Sequence, residues 1–329
     1  MGKILYLECN SGISGDMTVG ALLDLGADRQ VLENALESLG VDGYHLHFGR
    51  KVVSGLDAFD FDVHLEEHEH GHEEGHGHEE GHWHEEGHRH EDGHGHEHEH
   101  GHEAGHRHEA GHGHEVGHGH EHEHSHEADH GHEHEHSHEA GHGHPHPHIH
   151  RNLHDIYHII DRLDSNERVK EMARTMFRIV AEAESKAHGL PVEQVHFHEV
   201  GAIDSIVDII SAAVCIDNLG VDDVVVSALS EGHGHVHCQH GVLPVPVPAT
   251  ANIASSYGLK LHFTDNDGEM VTPTGAAIAA ALRTKDRLPS SCRLLKVGMG
   301  AGNKVFKQAN VLRAMLLETS QEEDRTMWA

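Results

Sequence analysis

The stretch between His64 and His150 constrains the fold of this chain most strongly. It holds 34 of the 46 histidines in 329 residues, mostly in Gly-His-Xaa-His and Glu-His-Glu-His units, with frequent glycine and almost no aliphatic side chains. Such a composition cannot bury enough apolar surface to fold. We therefore expect residues 64–150 to be a disordered insertion in a surface loop, and residues 1–63 and 151–329 to build the core.

The histidines of this tract also indicate a chemistry. Neutral imidazole binds Ni²⁺, Cu²⁺ and Zn²⁺ far better than Mg²⁺ or Ca²⁺, and a flexible strip of such ligands exchanges ions quickly. The tract is thus suited to storing, buffering or delivering a transition metal. Since histidine titrates near pH ~6.5, bound metal should be held at neutral pH and released on acidification. The alternative is a solvated linker that grew by repeat slippage.

The composition of the other 240 or so residues excludes several classes of protein. The net charge of −33 divides into −21 for the tract and −12 for the rest, which disfavours nucleic acid and anionic membranes as partners. The sequence shows neither a signal peptide nor an apolar stretch of the roughly 20 residues that span a bilayer. The four cysteines are scattered, as in a reduced cytoplasmic protein.

Hydrophobic periodicity predicts the α/β class, with alternating strands and helices in one or two compact units. The prolines of residues 243–248 make that segment extended and exclude it from a central strand. We predict strands at residues 3–9, 44–48, 57–63, 221–228 and 311–317, with the second and third paired, and helices at residues 17–25, 29–39, 152–163, 165–187, 205–219 and 274–282.

Two glycine-bearing segments are candidates for holding a phosphate. Each lies before a predicted helix, where backbone N–H groups and the helix N-terminus favour an anion. Neither is a Walker or dinucleotide motif, and simple helix capping is the alternative. The candidate phosphate-binding residues are Ser11, Gly12, Ser14, Gly15 and Asp16 in the first segment, and Thr272, Thr274 and Gly275 in the second.

Residues 195–208 concentrate candidate metal ligands. In an extended segment His196 and His198 point to one side, and Glu199 to the other. Asp204 and Asp208 are four residues apart, which places them on one face of the following helix. Imidazoles and carboxylates brought together by one turn would make a mixed nitrogen and oxygen site for Ni²⁺ or Zn²⁺. The alternative for Asp208 is a cap or an ion pair within the helix, so we rank it below His196, His198 and Glu199.

A further histidine segment covers residues 232–241. His233, His235 and His237 alternate, so a single extended strand would present three imidazoles on one face. Because the same Gly-His units recur in the tract, they could have drifted here too. We therefore rank His240, which precedes the proline segment, above them as a metal ligand.

Four segments together resemble the LarC family of nickel insertion proteins. They are residues 5–17, residues 196–208, residues 240–250 and residues 271–277, in the order in which they occur in that family. The resemblance covers nearly all of the chain outside the tract. Members of the family commonly carry a histidine-rich insertion of variable length at this position.

The resemblance implies a specific activity. LarC proteins insert Ni²⁺ into pyridinium-3,5-bisthiocarboxylic acid mononucleotide, which completes the nickel-pincer cofactor of lactate racemase-type enzymes. The implied enzyme is a cytoplasmic nickel chelatase of the lyase class that uses CTP with Mg²⁺ or Mn²⁺. The implied partners are the mononucleotide and a nickel-pincer-dependent apo-enzyme, and the complete protein is expected to be a homo-oligomer.

The sequence differs from the family pattern in one respect. Family members continue into a C-terminal domain associated with nucleotide binding and oligomerisation, whereas this chain stops at Ala329. We therefore expect the chain alone to be incomplete for turnover, and a separate C-terminal polypeptide to be a partner. Two alternative functions stay open: a non-enzymatic nickel reservoir or metallochaperone, and a metal-dependent hydrolase.

Overall fold

A computed structural model describes residues 2–66, 151–197, 203–238 and 240–319, so most of the histidine-rich tract lies outside the described residues. The described residues form seven α-helices and ten strands, with a short 3-10 turn at Val192–Gln194. The strands are β1 (Lys3–Glu8), β2 (Tyr44–Val53), β3 (Leu56–Leu65), β4 (Asp223–Val226), β5 (Leu229–His233), β6 (His235–Cys238), β7 (Gly241–Pro244), β8 (Leu261–Asp267), β9 (Arg293–Ala301) and β10 (Val311–Glu318). The helices are α1 (Gly15–Leu25), α2 (Arg29–Glu37), α3 (Leu153–Arg162), α4 (Glu167–His188), α5 (Ile203–Leu219), α6 (Pro248–Tyr257) and α7 (Pro273–Leu282).

Six of the strands form one mixed sheet in the order β2-β3-β9-β10-β1-β4. β1 runs antiparallel to β10 on one side and parallel to β4 on the other. Its residues Leu5 and Leu7 are fully buried. β2 and β3 form an antiparallel hairpin at the opposite edge. The remaining strands make two small sheets, β5 with β8 and β6 with β7.

Helix α1 lies directly on β9 because two glycines remove the side chains between them. A Cβ on Gly298 would lie 2.3 Å from the carbonyl oxygen of Ala21, and one on Gly300 would lie 1.9 Å from that of Met17. No larger residue fits at such distances without moving the helix backbone. The close contact fixes the N-terminal end of α1 relative to the sheet.

Helix α5 is buried on nearly all sides. It packs against α1, α2, α4 and α7, and its residues from Ile209 to Ile216 are all buried. A helix that is apolar all round is typical of a protein core. Burial of α5 therefore carries the two aspartates of its first turns, Asp204 and Asp208, to the edge of the core.

The turn before α1 is tied to the loop before α7. The Ile13 N–H donates to the Met270 carbonyl (3.0 Å), and the Thr272 N–H donates back to the Ile13 carbonyl (3.1 Å). Gly12 has a φ of 86°, and a Cβ on Gly275 would lie 2.2 Å from the Ile13 oxygen. These backbone contacts hold the N-terminal ends of α1 and α7 side by side.

The α/β class and the predicted elements are confirmed. The ends of the six predicted helices lie within two residues of the ends of α1 to α5 and α7. The β2–β3 pairing is as expected, and the proline segment lies outside the six-stranded sheet. One expectation is wrong: Gly234, at a φ of 84°, ends the strand, so His233 lies on β5 while His235 and His237 lie on β6. Strands β5, β7, β8 and β9 and helix α6 were not predicted.

None of the helices within the described ranges combines the length and the apolar character that crossing a membrane requires.

Candidate metal and substrate site

The N-terminal ends of α1, α5 and α7 border a cavity of about 410 Å³, which we call the carboxylate cavity. Five carboxylates line it, and the described lining contains neither lysine nor arginine. Such a lining attracts cations. The lining residues are Ser14, Gly15, Asp16, Asp62, Val63, Asp204, Ser205, Asp208, Glu269, Thr272, Pro273, Thr274 and Asn303.

Asp208 is the carboxylate whose position is hardest to explain by folding alone. Its Oδ1 atom is buried and has no hydrogen-bond partner among the described residues. Its other oxygen lies against Gly15, where a Cβ would be 2.3 Å from Oδ2. Burial, and then the charges of Asp16 and Asp204, raise the pKa of Asp208 well above its ordinary value. A hydrogen bond from the Asp16 backbone N–H lowers this pKa only in part. A buried carboxylate with one oxygen left without a partner favours a proton or a cation beside it.

Asp16 and Asp62 approach the cavity from other elements. Asp16 lies in the first turn of α1 and accepts a hydrogen bond from the Ser14 hydroxyl. Burial raises the pKa of Asp16, and the charge of Asp62 on β3 contributes in the same direction. The four aspartates thus come from β3, α1 and α5, and their mutual repulsion is relieved when a divalent cation enters.

Hydroxyl groups at the starts of two helices line the same cavity. Thr272 caps α7 by accepting a hydrogen bond from the Gly275 N–H (3.1 Å), and Thr274 is buried in the first turn of that helix. Ser14 occupies the corresponding position before α1. Helix N-termini carry partial positive charge and favour anions. The cavity can therefore hold a divalent cation among its carboxylates and an anionic group at the helix ends.

The structure divides the predicted phosphate-binding residues into two groups. Ser14, Gly15, Asp16, Thr272 and Thr274 line the cavity together. The other three are outside its lining and have structural roles. The Ser11 hydroxyl donates to the Ala309 carbonyl (2.6 Å), a Cβ on Gly12 would lie 1.9 Å from the Met270 oxygen, and Gly275 makes the backbone contact to Ile13 described above.

The predicted ligands of residues 195–208 are also separated. Asp204 and Asp208 both line the cavity, as their spacing on one helix face implies. His196 is exposed and is not part of the described lining, whereas Phe197 beside it is buried and packs edge-on against Phe177 at 6.5 Å between ring centroids. His198 and Glu199 lie outside the described residues.

His240 lines a second, smaller cavity of about 240 Å³, which we call the imidazole cavity. Its ring centroid is 5.0 Å from that of His188, and the His188 Nε2 atom lies 3.2 Å from Glu184 Oε2. Cys238 lines the same cavity, so nitrogen and sulfur donors are available there. Glu269 and Pro273 line both cavities, which makes the two neighbours.

No trio of histidine, cysteine, aspartate or glutamate within the described ranges is already arranged to hold a metal ion. Our sequence reasoning missed Asp62, His188 and the cavity position of Glu269. Glu269 lies three residues before Thr272 in the sequence, and this proximity to a predicted phosphate-binding segment could have identified it. Asp62 and His188 reach their cavities only through tertiary packing.

Comparisons with known proteins point to one family. Residues 5–329 match the family model of nickel insertion proteins. The chain is 46% identical over 324 residues to a protein of Alkaliphilus metalliredigens described as a pyridinium-3,5-bisthiocarboxylic acid mononucleotide nickel insertion protein, covering 98% of this chain and 62% of that relative. Proteins with the same description in Staphylococcus epidermidis and Geobacillus kaustophilus are 31% and 35% identical, covering 98% and 97% of this chain and 61% of each relative.

The chain thus spans about three fifths of the length of the curated relatives it matches. No solved structure matches it.

Proposed function

Because the chain belongs to the nickel insertion protein family, we propose that it takes part in inserting Ni²⁺ into pyridinium-3,5-bisthiocarboxylic acid mononucleotide, and that the carboxylate cavity is where the ion is held for transfer. The observation that supports this location most directly is the buried Oδ1 of Asp208, which has no partner among the described residues. A bound cation would satisfy this oxygen and offset the repulsion among the four aspartates.

Charge balance orders the binding events. The mononucleotide carries a phosphate and two thiocarboxylates, which an empty cavity lined by Asp16, Asp62, Asp204 and Asp208 repels. Once Ni²⁺ occupies the cavity, the remaining charge is smaller and an anionic substrate can approach. We expect nickel to bind first and the mononucleotide second, with its phosphate at the helix ends marked by Ser14, Thr272 and Thr274.

Transfer then follows from the chemistry of the donors. Carboxylate oxygen is a harder and weaker donor for Ni²⁺ than sulfur, so the ion moves favourably from the aspartates to the thiocarboxylates. The family resemblance implies that insertion forms a nickel–carbon bond as well as nickel–sulfur bonds. The nickel–carbon bond replaces a carbon–hydrogen bond of the pyridinium ring, and the hydrogen leaves as a proton. The aspartates are the bases within the cavity, and one that has given up nickel is free to accept that proton.

We further propose that nitrogen ligands assist before the transfer. His240 lies with His188 and Cys238 in the adjoining imidazole cavity, and Glu269 borders both cavities. His196, His198 and Glu199 stay in the proposed ligand set because they precede Asp204 by eight residues or fewer in the sequence. In this proposal, nickel reaches the aspartates from imidazoles nearby.

The finer features of the activity are proposals that follow from the family. We expect CTP with Mg²⁺ or Mn²⁺ to support a lyase-class insertion, and the CTP to bind on the separate C-terminal polypeptide that we propose as a partner of this chain. We expect a cytoplasmic location, where the Cys238 thiol stays reduced. A homo-oligomer and a nickel-pincer-dependent apo-enzyme complete the proposed assembly.

The sequence between His64 and His150 supports a second role as a nickel reservoir. The two roles are separated with a variant of residues 1–329 in which the histidines from position 68 to position 150 are asparagine, which we call the N-tract chain. Nickel binding is measured by equilibrium dialysis in the N-tract chain, in the same chain with Asp204→Asn and Asp208→Asn, and in a control with Asp42→Asn, an exposed carboxylate outside the cavity.

We expect the N-tract chain and the control to bind nickel, and the double variant to lose one ion per chain. Nickel held by the first two should move to added mononucleotide when CTP and the separate C-terminal polypeptide are also present, measured as nickel that passes an ultrafiltration membrane with the mononucleotide. Unchanged binding by the double variant would refute the cavity as the nickel site. An N-tract chain that binds no nickel would leave storage by the tract as the function.

A further inference from the structure

A group of histidines outside both cavities is created by the pairing of β2 with β3. His45 is the cross-strand partner of His64, and His47 is the partner of Asp62. Directly opposed residues of an antiparallel pair share one face, and so do residues two apart on each strand. His45, His47, Asp62 and His64 therefore lie on one face of the hairpin, together with Asp60, two residues before Asp62.

This face is turned to solvent, and its imidazoles are in mutual contact. His45 and His47 are exposed, whereas Leu46 and Phe48 pack against the core on the other face. The ring centroids of His45 and His64 are 5.1 Å apart with the planes within 7°, and those of His47 and His64 are 5.9 Å apart. His47 and His64 keep nearly half of their side-chain surface accessible, 47% and 49%.

Each of two imidazoles has a carboxylate beside it. The His47 Nε2 atom lies 3.6 Å from Asp60 Oδ2, and the His64 Nε2 atom lies 3.9 Å from Asp62 Oδ2. A carboxylate close to a metal-binding histidine can orient its ring by accepting a hydrogen bond from the nitrogen that does not bind the metal. Lys51 balances part of the charge of Asp60, at 3.9 Å from its Oδ1 atom.

Three imidazoles at these separations can converge on one ion. With metal–nitrogen distances near ~2.1 Å and roughly tetrahedral or octahedral angles, two histidines on one ion have ring centroids about 5 Å apart. The stacked His45 and His64 rings match that separation but not that orientation, since both ring planes must contain the ion. Rotation of the exposed rings about their side-chain bonds supplies the change. Without that rotation, the described residues contain no group of three such side chains placed to hold a metal ion.

We propose that His45, His47 and His64 form a binding site for a divalent transition-metal ion on the outer face of the β2–β3 hairpin, and that Asp62 links this site to the carboxylate cavity. Asp62 is the connecting residue because its carboxylate both neighbours His64 and lines the cavity. The existence of this binding site does not depend on the proposed function. Its role in delivering nickel to the carboxylate cavity rests on that function.

The donor set fits a borderline ion. Three neutral nitrogens with a nearby carboxylate favour Ni²⁺, Zn²⁺ or Cu²⁺ over Mg²⁺ and Ca²⁺. His64 is also the first histidine of the tract in the sequence. An ion released by the tract can therefore be captured on the hairpin before it moves inward, so that imidazoles near the folded core receive nickel first and aspartates second.

The binding site is tested by diethyl pyrocarbonate footprinting, in which each histidine of the N-tract chain is followed by mass spectrometry with and without Ni²⁺. We expect nickel to slow the modification of His45, His47 and His64 at one common concentration, and to leave His262, an exposed histidine on β8, unchanged. In a His45→Ala, His47→Ala variant the concentration that protects His64 should rise by at least about tenfold. A His262→Ala variant serves as the matched control.

A variant with His47→Gln, which keeps a side chain of similar size, separates binding from folding, and thermal unfolding checks that the hairpin persists. Modification of the three histidines that is unaffected by nickel, or protection of His64 that survives the double substitution, would overturn the site.

Delivery is tested in residues 1–329 with the histidine-rich tract unaltered, with nickel limiting and with the mononucleotide, CTP and the separate C-terminal polypeptide present. We expect the His45→Ala, His47→Ala variant to transfer nickel more slowly, and excess nickel to restore the rate. Equal rates at limiting nickel would overturn delivery while leaving the site in place. A chain that shows the protection yet transfers no nickel under any condition would contradict the proposed function and not the hairpin site.

Discussion

Replacing Asp208 by asparagine should stabilise the metal-free protein, although it removes a residue that we place in the functional site. The carboxylate has a buried Oδ1 with no hydrogen-bond partner among the described residues, and it lies near Asp16 and Asp204, whose charges oppose its ionisation. Asparagine keeps the shape, removes the charge and adds an N–H₂ group that can donate to a neighbouring carboxylate. The substitution therefore removes an unfavourable electrostatic contribution to the free energy of the folded state.

The size of the gain follows from the cost of a buried acceptor without a partner, about 1–3 kcal/mol. We expect the free energy of unfolding to rise by about 2 kcal/mol. In a folded unit of this size that corresponds to an increase in Tm of about 4–8 °C. Added Ni²⁺ should raise the Tm of the parent chain more than that of the variant, because a ligand stabilises only the state that binds it.

The assay is thermal unfolding by circular dichroism at neutral pH, with a chelator present, on the N-tract chain with and without Asp208→Asn. Asp42→Asn is the control for the loss of one negative charge at an exposed position, and we expect its Tm to stay within a degree or so of the parent. A metal-free Asp208→Asn chain that is less stable than its parent would refute the view that this carboxylate is strained by its surroundings.

The pH dependence of stability provides a second measure of the same effect. Burial raises the pKa of Asp16 and of Asp208 in the folded state, so the folded chain binds their protons more tightly than the unfolded chain does. Their contribution is fully present below the unfolded pKa, about 4, and is lost as the pH rises through the raised values. The metal-free parent should lose stability over that range, and Asp208→Asn should lose less.

Three other outcomes are expected. Gly275→Ala places a Cβ 2.2 Å from the carbonyl oxygen of Ile13, a backbone atom that cannot move alone, so thermal unfolding should show a loss of about 2 kcal/mol or more, and an unchanged Tm would contradict this packing. Glu231→Ala leaves three buried backbone N–H groups without their shared acceptor, so urea unfolding should show a loss of about 3 kcal/mol, whereas a loss below about 1 kcal/mol would argue for replacement by water. Burial raises the pKa of Cys9 to about 12, so iodoacetamide at pH 8 should alkylate the exposed Cys292 and spare Cys9, as mass spectrometry can show.

Local patterns in the sequence predicted much of the fold. The helical period identified α5 and placed Asp204 and Asp208 on one face, and the glycine-bearing turn before α1 was recognised as part of a site. Strand β9 was missed because Gly298 and Gly300 interrupt its apolar pattern. Glycine is needed at both positions because α1 packs against them, and such a tertiary contact cannot be recognised from a local sequence pattern. Helix α6 was missed because its short, alanine- and serine-rich sequence has little apolar periodicity.

The site was predictable only where its residues are close in the chain. Asp62 joins the cavity from a strand more than 140 residues before Asp204, and the histidine-rich tract separates the two in the sequence. Phosphate binding by Gly12 and Gly275 stays a prediction. Glycine is required both where a ligand approaches the backbone and where another segment does, and the structure shows another segment close to each of the two.

The order of donors along the proposed route raises one question, because nickel must leave imidazole for carboxylate before it reaches sulfur. Imidazole nitrogen is the better ligand atom for Ni²⁺, so a single carboxylate could not draw the ion from His45, His47 and His64. Four aspartates around one cavity can do so together. Their combined negative charge, in a partly buried space, attracts a dication much more strongly than a neutral set of donors does. The same crowding keeps the ion from being held permanently, because oxygen donors cede nickel to thiocarboxylate sulfur and the ring carbon. On this argument, neutralising two of the aspartates should leave nickel on the hairpin and stop it there, and footprinting of His64 in the Asp204→Asn, Asp208→Asn chain would show protection that persists when the mononucleotide is added.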